Sequence, residues 1–382
     1  MPQIFILYHL SLEQLFKTFI LILFSLSIIA WTVRSVNFLD LIVDSGYSTS
    51  TYFIYSFLNL TNVVTKFIPL SFLLALLFTI IKLERQNELI VLWTSGVAKL
   101  KITNLFLRLS VIVLLFYIFF STLITPTALN ISRNLIKDSG VDTASNFLKP
   151  NVFSDTFKGL TLYIGSKNDE KIEYIFIKDD GNNLYNILPE ANESKDQTIL
   201  ARRGFVKENK IILENGIIQS YDQNNKIRII QFNRTLLNFQ NLDNRVIKEL
   251  KIQETPTTKI LGCLKKYYSG DLLDDIYIKN CPKNNIAVII ETFSRRLGMP
   301  FYIPVISVLI SFLLIYKKNK KIKMYDRYIF FGLSFFLLVL SDLLVRFSGF
   351  SNIHFITYLS IPFILLPILY IILLNKLKRE LK

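Results

Sequence analysis

Long apolar blocks separated by short charged segments dominate the chain, and this pattern predicts helices that cross a membrane. A membrane-spanning helix needs about 20 apolar residues. Six blocks reach or approach that length, over residues 18–33, 59–81, 109–132, 297–316, 328–345 and 347–375. Buried helices of a large soluble protein are the alternative, which six such blocks disfavour. The first block lacks a small-residue cleavage site, so we expect an anchor that is retained rather than a signal peptide.

The middle of the chain follows a different pattern. Between residues 150 and 250, short β-rich runs recur about every ten residues and are separated by Asn, Asp and Gly. This spacing predicts an antiparallel sandwich or open barrel. It leaves open whether the domain is a generic β domain or a jellyroll that receives a ligand. The runs are 160–165, 173–178, 204–206, 210–213, 216–221 and 226–232.

Residues 257–268 and 286–297 return to a helical spacing of apolar residues. Cys263 and Cys281 lie in this stretch, and both a disulfide and two separate buried thiols fit the pattern. We therefore expect a helical connector between the β domain and the fourth apolar block.

Lys and Arg are concentrated in alternate loops. The segments 82–104, 317–327 and 376–382 are basic, whereas the loops 41–58 and 348–353 contain neither residue. Cytoplasmic loops of membrane proteins are the basic ones. We therefore expect both termini in the cytoplasm and the long segment of about 130–296 outside it.

Composition supports a membrane protein and disfavours other classes. Of 382 residues, 51% are hydrophobic and 19% are charged, which excludes a single soluble domain and a disordered chain. The 2 Cys and 2 His supply little for a disulfide scaffold or metal chemistry. The net charge of +15 is attributed to cytoplasmic loops rather than to nucleic-acid binding.

Nucleotide-binding and hydrolase motifs are missing from the sequence. There is no Gly-x-x-x-x-Gly-Lys-Ser/Thr loop, no His-Glu-x-x-His and no Gly-x-Ser-x-Gly. We therefore expect a protein that does not hydrolyse ATP itself, is not an enzyme and needs no cofactor.

The segment 82–96 contains both charged and apolar residues and ends at Gly96, a natural helix stop. Glu84 and Glu88 are four residues apart and would share one helix face, with Arg85 beside them. Such a helix could lie on lipid or dock into a groove on a protein. Glu residues fit poorly with anionic lipid, so a protein partner is favoured.

Basic residues are predicted to lie at one depth near the outer membrane boundary. These are Arg34, Lys66, Arg295 and Arg296. Each alone could extend towards the interface, but four at one level favour a site for an anionic headgroup, since Arg binds phosphate with two donors. Asp342 lies four residues before Arg346, and both a simple ion pair and a ligand or gating role fit that spacing.

Three short stretches of the sequence carry a family resemblance. Residues 68–75 read Ile-Pro-Leu-Ser-Phe-Leu-Leu-Ala, residues 88–96 read Glu-Leu-Ile-Val-Leu-Trp-Thr-Ser-Gly, and residues 295–300 read Arg-Arg-Leu-Gly-Met-Pro. They resemble the LptF/LptG permease family. The order of three spans, an inserted domain and three spans is similar as well. Residues 159–164 are more like the LptF member than the LptG member.

The resemblance implies a lipopolysaccharide export permease of the bacterial inner membrane. Its expected partners are an LptB-like cytoplasmic ATPase dimer that hydrolyses the ATP, a second six-span permease, an LptC-like single-span protein and an LptA-like bridge. Lipopolysaccharide would enter between spans one and five and pass to a periplasmic β-jellyroll. No nucleic acid is implied as a partner.

The resemblance also assigns residues. Glu88 matches the acid of the family's coupling helix, in a coupling segment that also holds Glu84, Arg85 and Gly96. Arg34 corresponds to the basic end of the first span that meets lipid phosphates. Four further substrate-binding residues carry over by location rather than by motif: Lys66, Arg295, Arg296 and Arg346.

The expected fold is an α-helical polytopic membrane protein with six transmembrane helices and a periplasmic β-jellyroll-like domain between helices three and four. The boundaries are 1–132 for spans one to three with the coupling segment 82–96, 133–254 for the β domain, 255–296 for the connector and 297–382 for the remaining spans and tail.

Two other functions remain open at this point. One is another ATPase-linked membrane component, of the lipoprotein-release or cell-division type. Such proteins usually have four spans with a large domain after the first span, whereas here the large domain follows the third. A membrane sensor or lipid-modifying enzyme would need a cytoplasmic output domain or clustered acids, and the sequence has neither in a convincing form.

Overall fold

The computed structural model describes residues 2–39, 42, 48–141, 148, 150–157, 159–168, 170–180, 197–207, 210–221, 227–238, 252–269, 286–315 and 324–381. Two compact units are present. The first comprises Met1–Arg34, Asn59–Asn130 and Leu250–Lys382, and the second comprises Ser35–Leu58 and Ile131–Glu249. Residues 181–196, most of the basic segment predicted at 317–327 and Cys281 lie outside the described residues.

Helices dominate the first unit. The α-helices described in the two units are, in chain order, α1 Pro2–Asn37, α2 Thr49–Arg85, α3 Glu88–Thr94, α4 Lys99–Phe119, α5 Thr125–Val141, α6 Thr257–Ser269, α7 Ile286–Phe293, α8 Tyr302–Ser311, α9 Met324–Phe347 and α10 Asn352–Leu381. A π-helical segment, Phe120–Ile124, joins α4 to α5. A second π segment, Ser294–Gly298, joins α7 to the short turn that precedes α8.

Six of the described helical stretches are long and apolar enough to cross a membrane, as the sequence predicted. They are Glu13–Asn37, Thr49–Arg85, Lys99–Ile136, Ile286–Leu314, Arg327–Phe347 and Asn352–Arg379. Apolar side chains on the first, fifth and sixth spans are largely exposed, which in a soluble protein would be unfavourable. This arrangement fits a polytopic α-helical membrane protein.

The fourth span is the innermost helix of the first unit. All ten residues of α8 are buried, and α8 packs against α4, α9 and α10. On α2, Ile68, Phe72 and Leu76 are fully buried in a core shared with α4 and α8. Small Ser residues at 307 and 311 of α8 leave room for the neighbouring helices to approach.

The helix that carries the fourth apolar block begins before that block does. It starts at Ile286, so Arg295 and Arg296 lie within one continuous helical stretch with the block. Charged residues are costly inside a span unless they have partners, and both arginines have partners within the first unit. The second span likewise begins at Thr49 and continues through Pro69.

A six-stranded antiparallel sheet forms the core of the second unit. Its strands are β1 Ser154–Phe157, β2 Leu160–Asn168, β3 Lys171–Asp179, β4 Gln197–Lys207, β5 Lys210–Tyr221 and β6 Ile227–Asn238, and they pair in sequence order. One face buries an aliphatic cluster that includes Ile177, Ile199 and Leu213. The alternation of apolar and polar residues along each strand explains this one-sided core.

The sheet is creased along one row of residues. Tyr174 in β3 and Asn215 in β5 have positive φ angles of 55° and 53°, and the ladder pairs are interrupted at both positions. The runs predicted separately at 210–213 and 216–221 therefore form one strand, because Asn215 adopts a left-handed conformation inside the strand rather than ending it. Asn tolerates this conformation better than most residues.

A sheet of strands in sequence order is established, whereas the jellyroll stays a prediction. The expected helix at 257–268 is confirmed as α6. Cys263 in α6 is disulfide-bonded, and Cys281, the other cysteine of the chain, lies outside the described residues.

Candidate functional site

A cavity of about 500 Å³ in the first unit, here called the basic cavity, contains most of the predicted basic residues. It is lined by four cations, Lys66, Arg295, Arg296 and Arg346, and by one carboxylate, Glu291. These side chains come from the second, fourth and fifth spans. The excess of positive charge favours an anionic ligand.

Arg295 lies at the centre of an ion-pair network. Its Nη1 atom is 2.6 Å from Oδ1 of Asp342 in α9, and its Nη2 atom is 3.3 Å from Oε1 of Glu291, one turn earlier in the same span. The second oxygen of Asp342 is 3.9 Å from Nη2 of Arg346. The pairing of Asp342 with Arg346 that the spacing allowed is thus present, but the shorter contact of Asp342 is with Arg295.

Arg296 is 5% exposed and its charge is met by neutral acceptors. Its Nη1 atom donates to Oγ1 of Thr257 at 2.7 Å, and its Nη2 atom donates to the carbonyl oxygens of Gln253 and Thr255, each at 2.9 Å. These bonds hold residues 253–257 against the fourth span. Because its donors are engaged in this way, Arg296 shapes the cavity wall rather than offering a fork to a ligand.

The two π segments position the part of the basic cavity around Arg296. Phe120–Ile124 in the third span contacts Ser294–Gly298 in the fourth, and such segments are frequent at functional sites. Oγ of Ser121 donates to the carbonyl oxygen of Arg296 at 3.0 Å, and Oγ1 of Thr257 donates to that of Thr122 at 2.7 Å. These two hydroxyls therefore each satisfy one carbonyl oxygen, one in each π segment.

Lys66 and Arg346 are the cations of the basic cavity that are most open to a ligand. Both side chains are exposed, and within the described part of the chain Lys66 forms no ion pair. Among the residues that the structure describes, the ion pair of Arg346 is the long contact with Asp342, and its side chain is 66% exposed. Arg34, in the last turn of α1, does not line the cavity, although its charge acts on Lys66.

The short helix α3 forms the centre of the predicted coupling segment. Leu89 and Leu92 are buried in the core of the first unit, while Ile90 and Val91 are each 48% exposed. Glu88 lies in the first turn and is partly exposed. One face of α3 is therefore fixed to the protein, and the other presents apolar side chains beside a carboxylate.

Gly96 ends α3 by its backbone conformation. Its φ angle is +86°, its N–H donates to the carbonyl oxygen of Trp93 at 3.1 Å, and the N–H of Val97 donates to that of Leu92 at 3.0 Å. These two bonds form a Schellman motif, which needs a left-handed residue that is usually Gly. The predicted helix stop at Gly96 is confirmed.

Glu84 is directed into the protein rather than along α3. Its Oε2 atom is 2.7 Å from Nη2 of Arg327 at the start of the fifth span, and the two side chains are only 13% and 23% exposed. The helix ends at Arg85, and Asn87 has a φ angle of 56°. The expectation that Glu84 and Glu88 share one helix face is therefore wrong, because the chain turns between them. Arg85 is exposed.

A second cavity, of about 650 Å³, lies along the crease of the β-sheet. Aromatic and aliphatic side chains contribute to its lining, including Tyr163, Phe176, Leu200 and Phe232, with Arg202 also present. Its walls could hold an apolar chain, and no residue here was singled out from the sequence.

Sequence reasoning missed the internal partners of the charged residues. Glu291, Thr257 and Arg327 were not identified as partners, and neither was the shorter contact of Asp342, which is with Arg295. The spacing of Glu291 and Arg295, four residues apart on a helix, was the available signal for one of these contacts. The others join elements that are far apart in the chain and have no local signature.

The sequence of this chain is similar to those of known proteins. An uncharacterized protein, RP871, of Rickettsia prowazekii (strain Madrid E) is 25% identical over 266 residues, which cover 69% of each chain. The family model described as lipopolysaccharide export system permease LptF/LptG matches residues 10–376. That match includes the first five spans, all but the last three residues of the sixth, the sheet, the basic cavity and α3. The chain therefore belongs to the LptF/LptG family of lipopolysaccharide export system permeases.

Proposed function

We propose that this protein is a permease subunit of an ABC-type complex that extracts lipopolysaccharide from the inner membrane and passes it to a periplasmic bridge. The observation that carries the proposal is the basic cavity, in which four cations of three spans meet, in a chain of this family. Lipopolysaccharide is an amphiphile with phosphates and acyl chains. It needs cations for the headgroup beside apolar surface for the chains.

The proposed ligand contacts are divided between two kinds of cation. Lys66 and Arg346 would meet the headgroup phosphates directly, with Arg295 behind them. Arg34 would act at the rim through its charge, and Arg296 would keep the cavity wall in place. This division follows from exposure and hydrogen bonding rather than from charge alone.

The energy would come from a separate LptB-like ATPase dimer, and the chain itself would hold no nucleotide or other cofactor. α3 supports this part of the proposal because its inner face is fixed by Leu89 and Leu92 while Ile90 and Val91 remain exposed beside Glu88. Helix-in-groove docking uses this combination of apolar anchors and flanking charge.

The remaining partners follow the same proposal. A second LptF/LptG-type permease would complete the cavity, and an LptC-like protein and an LptA-like bridge would receive the lipid from the β domain. The β domain would then be a periplasmic jellyroll, with the creased cavity available for acyl chains. Both termini would lie in the cytoplasm, which attachment of a reporter active on only one side of the membrane would test.

The coupling proposal is tested by Glu88→Ala and Ile90→Asp in the tagged full chain. Both variants should insert normally but lose co-purification of the ATPase and export of lipopolysaccharide. Glu170→Ala removes an exposed carboxylate next to β3 and serves as the matched control, with both readouts unchanged. Wild-type association and export in both coupling variants would contradict the docking assignment.

The substrate proposal is tested by photocrosslinking of lipopolysaccharide to the intact complex. Lys66→Gln, Arg346→Gln and Arg34→Glu should each weaken crosslinking, because each removes or reverses positive charge at the cavity or its rim. Arg108→Gln is the control, since Arg108 is exposed and does not line the cavity. Equal crosslinking in all four variants would count against the cavity as the headgroup site.

A further inference from the structure

The third and sixth spans pack against each other at the ends that carry basic residues. Helix α4 contacts α10, and one apolar cluster contains Leu100 and Leu107 of α4 together with Leu373 and Leu377 of α10. The two helices cross the membrane in opposite directions, because one is an odd-numbered span and the other is even-numbered. Their contact therefore leaves a groove on each flank of an antiparallel pair.

Three cations lie on the same flank of this pair. Each directly follows a leucine of the shared cluster: Lys101, Arg108 and Lys378 follow Leu100, Leu107 and Leu377. One residue turns an α-helix by about 100°, and in an antiparallel pair this turn brings side chains of both helices to the same flank. All three cations are exposed. The groove that they border is here called the basic groove.

Lys376 marks the opposite flank. It precedes Leu377 by one residue, so the same turn of the helix carries it the other way. Its Nζ atom is 5.6 Å from the centre of the Phe312 ring, at the end of the fourth span. The sixth span thus has exposed cations on both flanks of its contact with α4, and only Lys378 joins the basic groove.

A polar pair lies between the cations of α4. Asn104 is half-buried, and its Oδ1 atom accepts a hydrogen bond from the hydroxyl of Tyr370 in α10 at 2.8 Å. This bond uses the amide oxygen, so Asn104 has N–H donors for an anionic ligand. The third and sixth spans, Lys99–Ile136 and Asn352–Arg379, contain no Asp or Glu that would oppose such a ligand.

The basic groove lies where the apolar parts of both spans end. The uncharged stretch of the third span begins directly after Arg108, and that of the sixth span ends directly before Lys376. Polar headgroups of a bilayer border the hydrocarbon core at this level. Deeper in the same spans, Ile112 and Ile371 are exposed and provide apolar surface for acyl chains.

We propose that the basic groove binds the headgroup of an anionic phospholipid, with its phosphate held by Lys101, Arg108 and Lys378. Basic pockets between spans bind anionic headgroups in this way, whereas a zwitterionic lipid brings its own cation and gains less. None of these residues lines the basic cavity, so the inference does not depend on what that cavity binds. Membrane topology accounts for cations at these ends of the spans. The groove adds that a lipid distinguishes one flank from the other.

The experiment measures photocrosslinking of lipids to the full chain, purified with the subunits that accompany it, in nanodiscs. The probes are phosphatidylglycerol and phosphatidylcholine with identical acyl chains and a photoreactive group near the headgroup. Mass spectrometry of peptides locates the adducts. Phosphatidylglycerol should label residues 99–108 and 369–379 more strongly than phosphatidylcholine does.

The variants test the flank as well as the charge. Lys101→Gln, Arg108→Gln and Lys378→Gln should each lower labelling by phosphatidylglycerol about fivefold, the contribution of one cation beside anionic lipid, and leave labelling by phosphatidylcholine unchanged. Arg108→Lys retains the charge and should retain the labelling. Lys376→Gln is the matched control, because it removes an exposed cation of the same span from the opposite flank and should retain the labelling.

Three results would overturn the proposal. Equal labelling by the two lipids would show that the groove does not recognise anionic headgroups, and an equal loss in Lys376→Gln would show attraction to general surface charge. Loss of the labelling when soluble glycerol phosphate is added would identify a site for free phosphates rather than for lipid. If a variant of α4 fails to insert, Lys378→Gln at the end of the sixth span supplies the test. Crosslinking of lipopolysaccharide should be normal in Arg108→Gln, because the basic groove and the basic cavity share no residue.

Discussion

The guanidinium of Arg296 donates to the hydroxyl of Thr257 at 2.7 Å, although 39 residues separate them in the chain. The same hydroxyl donates to the carbonyl oxygen of Thr122 in the π segment of the third span. Thr257 therefore links the third span, the fourth span and the start of α6. Arg296 carries a positive charge at the cavity, but its contacts are those of a residue that holds the structure together.

Replacement of Arg296 should therefore affect stability more than ligand affinity. In Arg296→Lys, one ammonium nitrogen replaces the planar guanidinium and cannot donate to all three acceptors. We therefore expect the free energy of unfolding to fall by about 3 kcal/mol. Thermal unfolding of the purified protein in detergent measures this loss. Arg346→Lys, at an exposed position, should melt near the wild-type temperature, and equal melting of both variants would contradict the structural role.

Gly96 should resist substitution because of its backbone alone. A Cβ atom at Gly96 would meet no atom within 4 Å, so the cost of Gly96→Ala comes from its φ angle of +86°. We expect a destabilisation of about 1 kcal/mol, measured by thermal unfolding, with weaker association of the ATPase as the end of α3 frays. In Gly262→Ala, at an uncrowded helical position in α6, stability should be unchanged or slightly higher.

Gly349 is constrained by a neighbouring backbone rather than by its own conformation. A Cβ atom there would overlap the carbonyl oxygen of Ala287 in α7. Because backbone atoms cannot rotate away, Gly349→Ala should displace α7 from the turn after α9 and cost about 2 kcal/mol or more. Gly332→Ala, with open space around the new methyl group, is the control for detergent melting experiments. Equal stability of the two variants would disprove the close approach.

The ion pair of Glu84 and Arg327 should stabilise the folded protein more than an exposed ion pair does. A double-mutant cycle with Glu84→Gln and Arg327→Gln should give a coupling energy of about 1–3 kcal/mol, because both side chains are largely buried. The same cycle at Glu13 and Lys17, an exposed pair four residues apart, should give about 0.5 kcal/mol or less. Unfolding free energies of the single and double variants give the coupling energy at each site. Similar coupling energies at the two sites would contradict the expected effect of burial.

The spans and the end of α3 could be predicted because their causes are local. Six apolar blocks of sufficient length appear in the sequence as six apolar helices, and Gly96 was identified because only a residue that tolerates positive φ ends a helix in this way. The full length of the helices was less predictable. Apolarity does not reveal that Arg295 and Arg296 have partners, and the helix that carries the fourth apolar block extends back past both of them to Ile286.

The preference for LptF over LptG stays a prediction, as do the domain boundaries and the role of each site residue. Their tests are the partner and binding experiments described above. For Glu84 the expectation changed most, because the turn at Asn87 separates it from Glu88 and its carboxylate pairs with Arg327.

The membrane class, the inserted β domain and the family could all be predicted from the amino-acid sequence, because hydrophobicity, strand periodicity and motifs are properties of neighbouring residues. Which of the basic residues a ligand could meet depends on the packing of the helices. Arg295 is joined to Asp342 and Arg296 to Thr257, while Lys66 faces the cavity with no ion pair among the described residues. The energy of a charge depends on the groups that surround it in space, and residues from different spans become neighbours only when the helices pack.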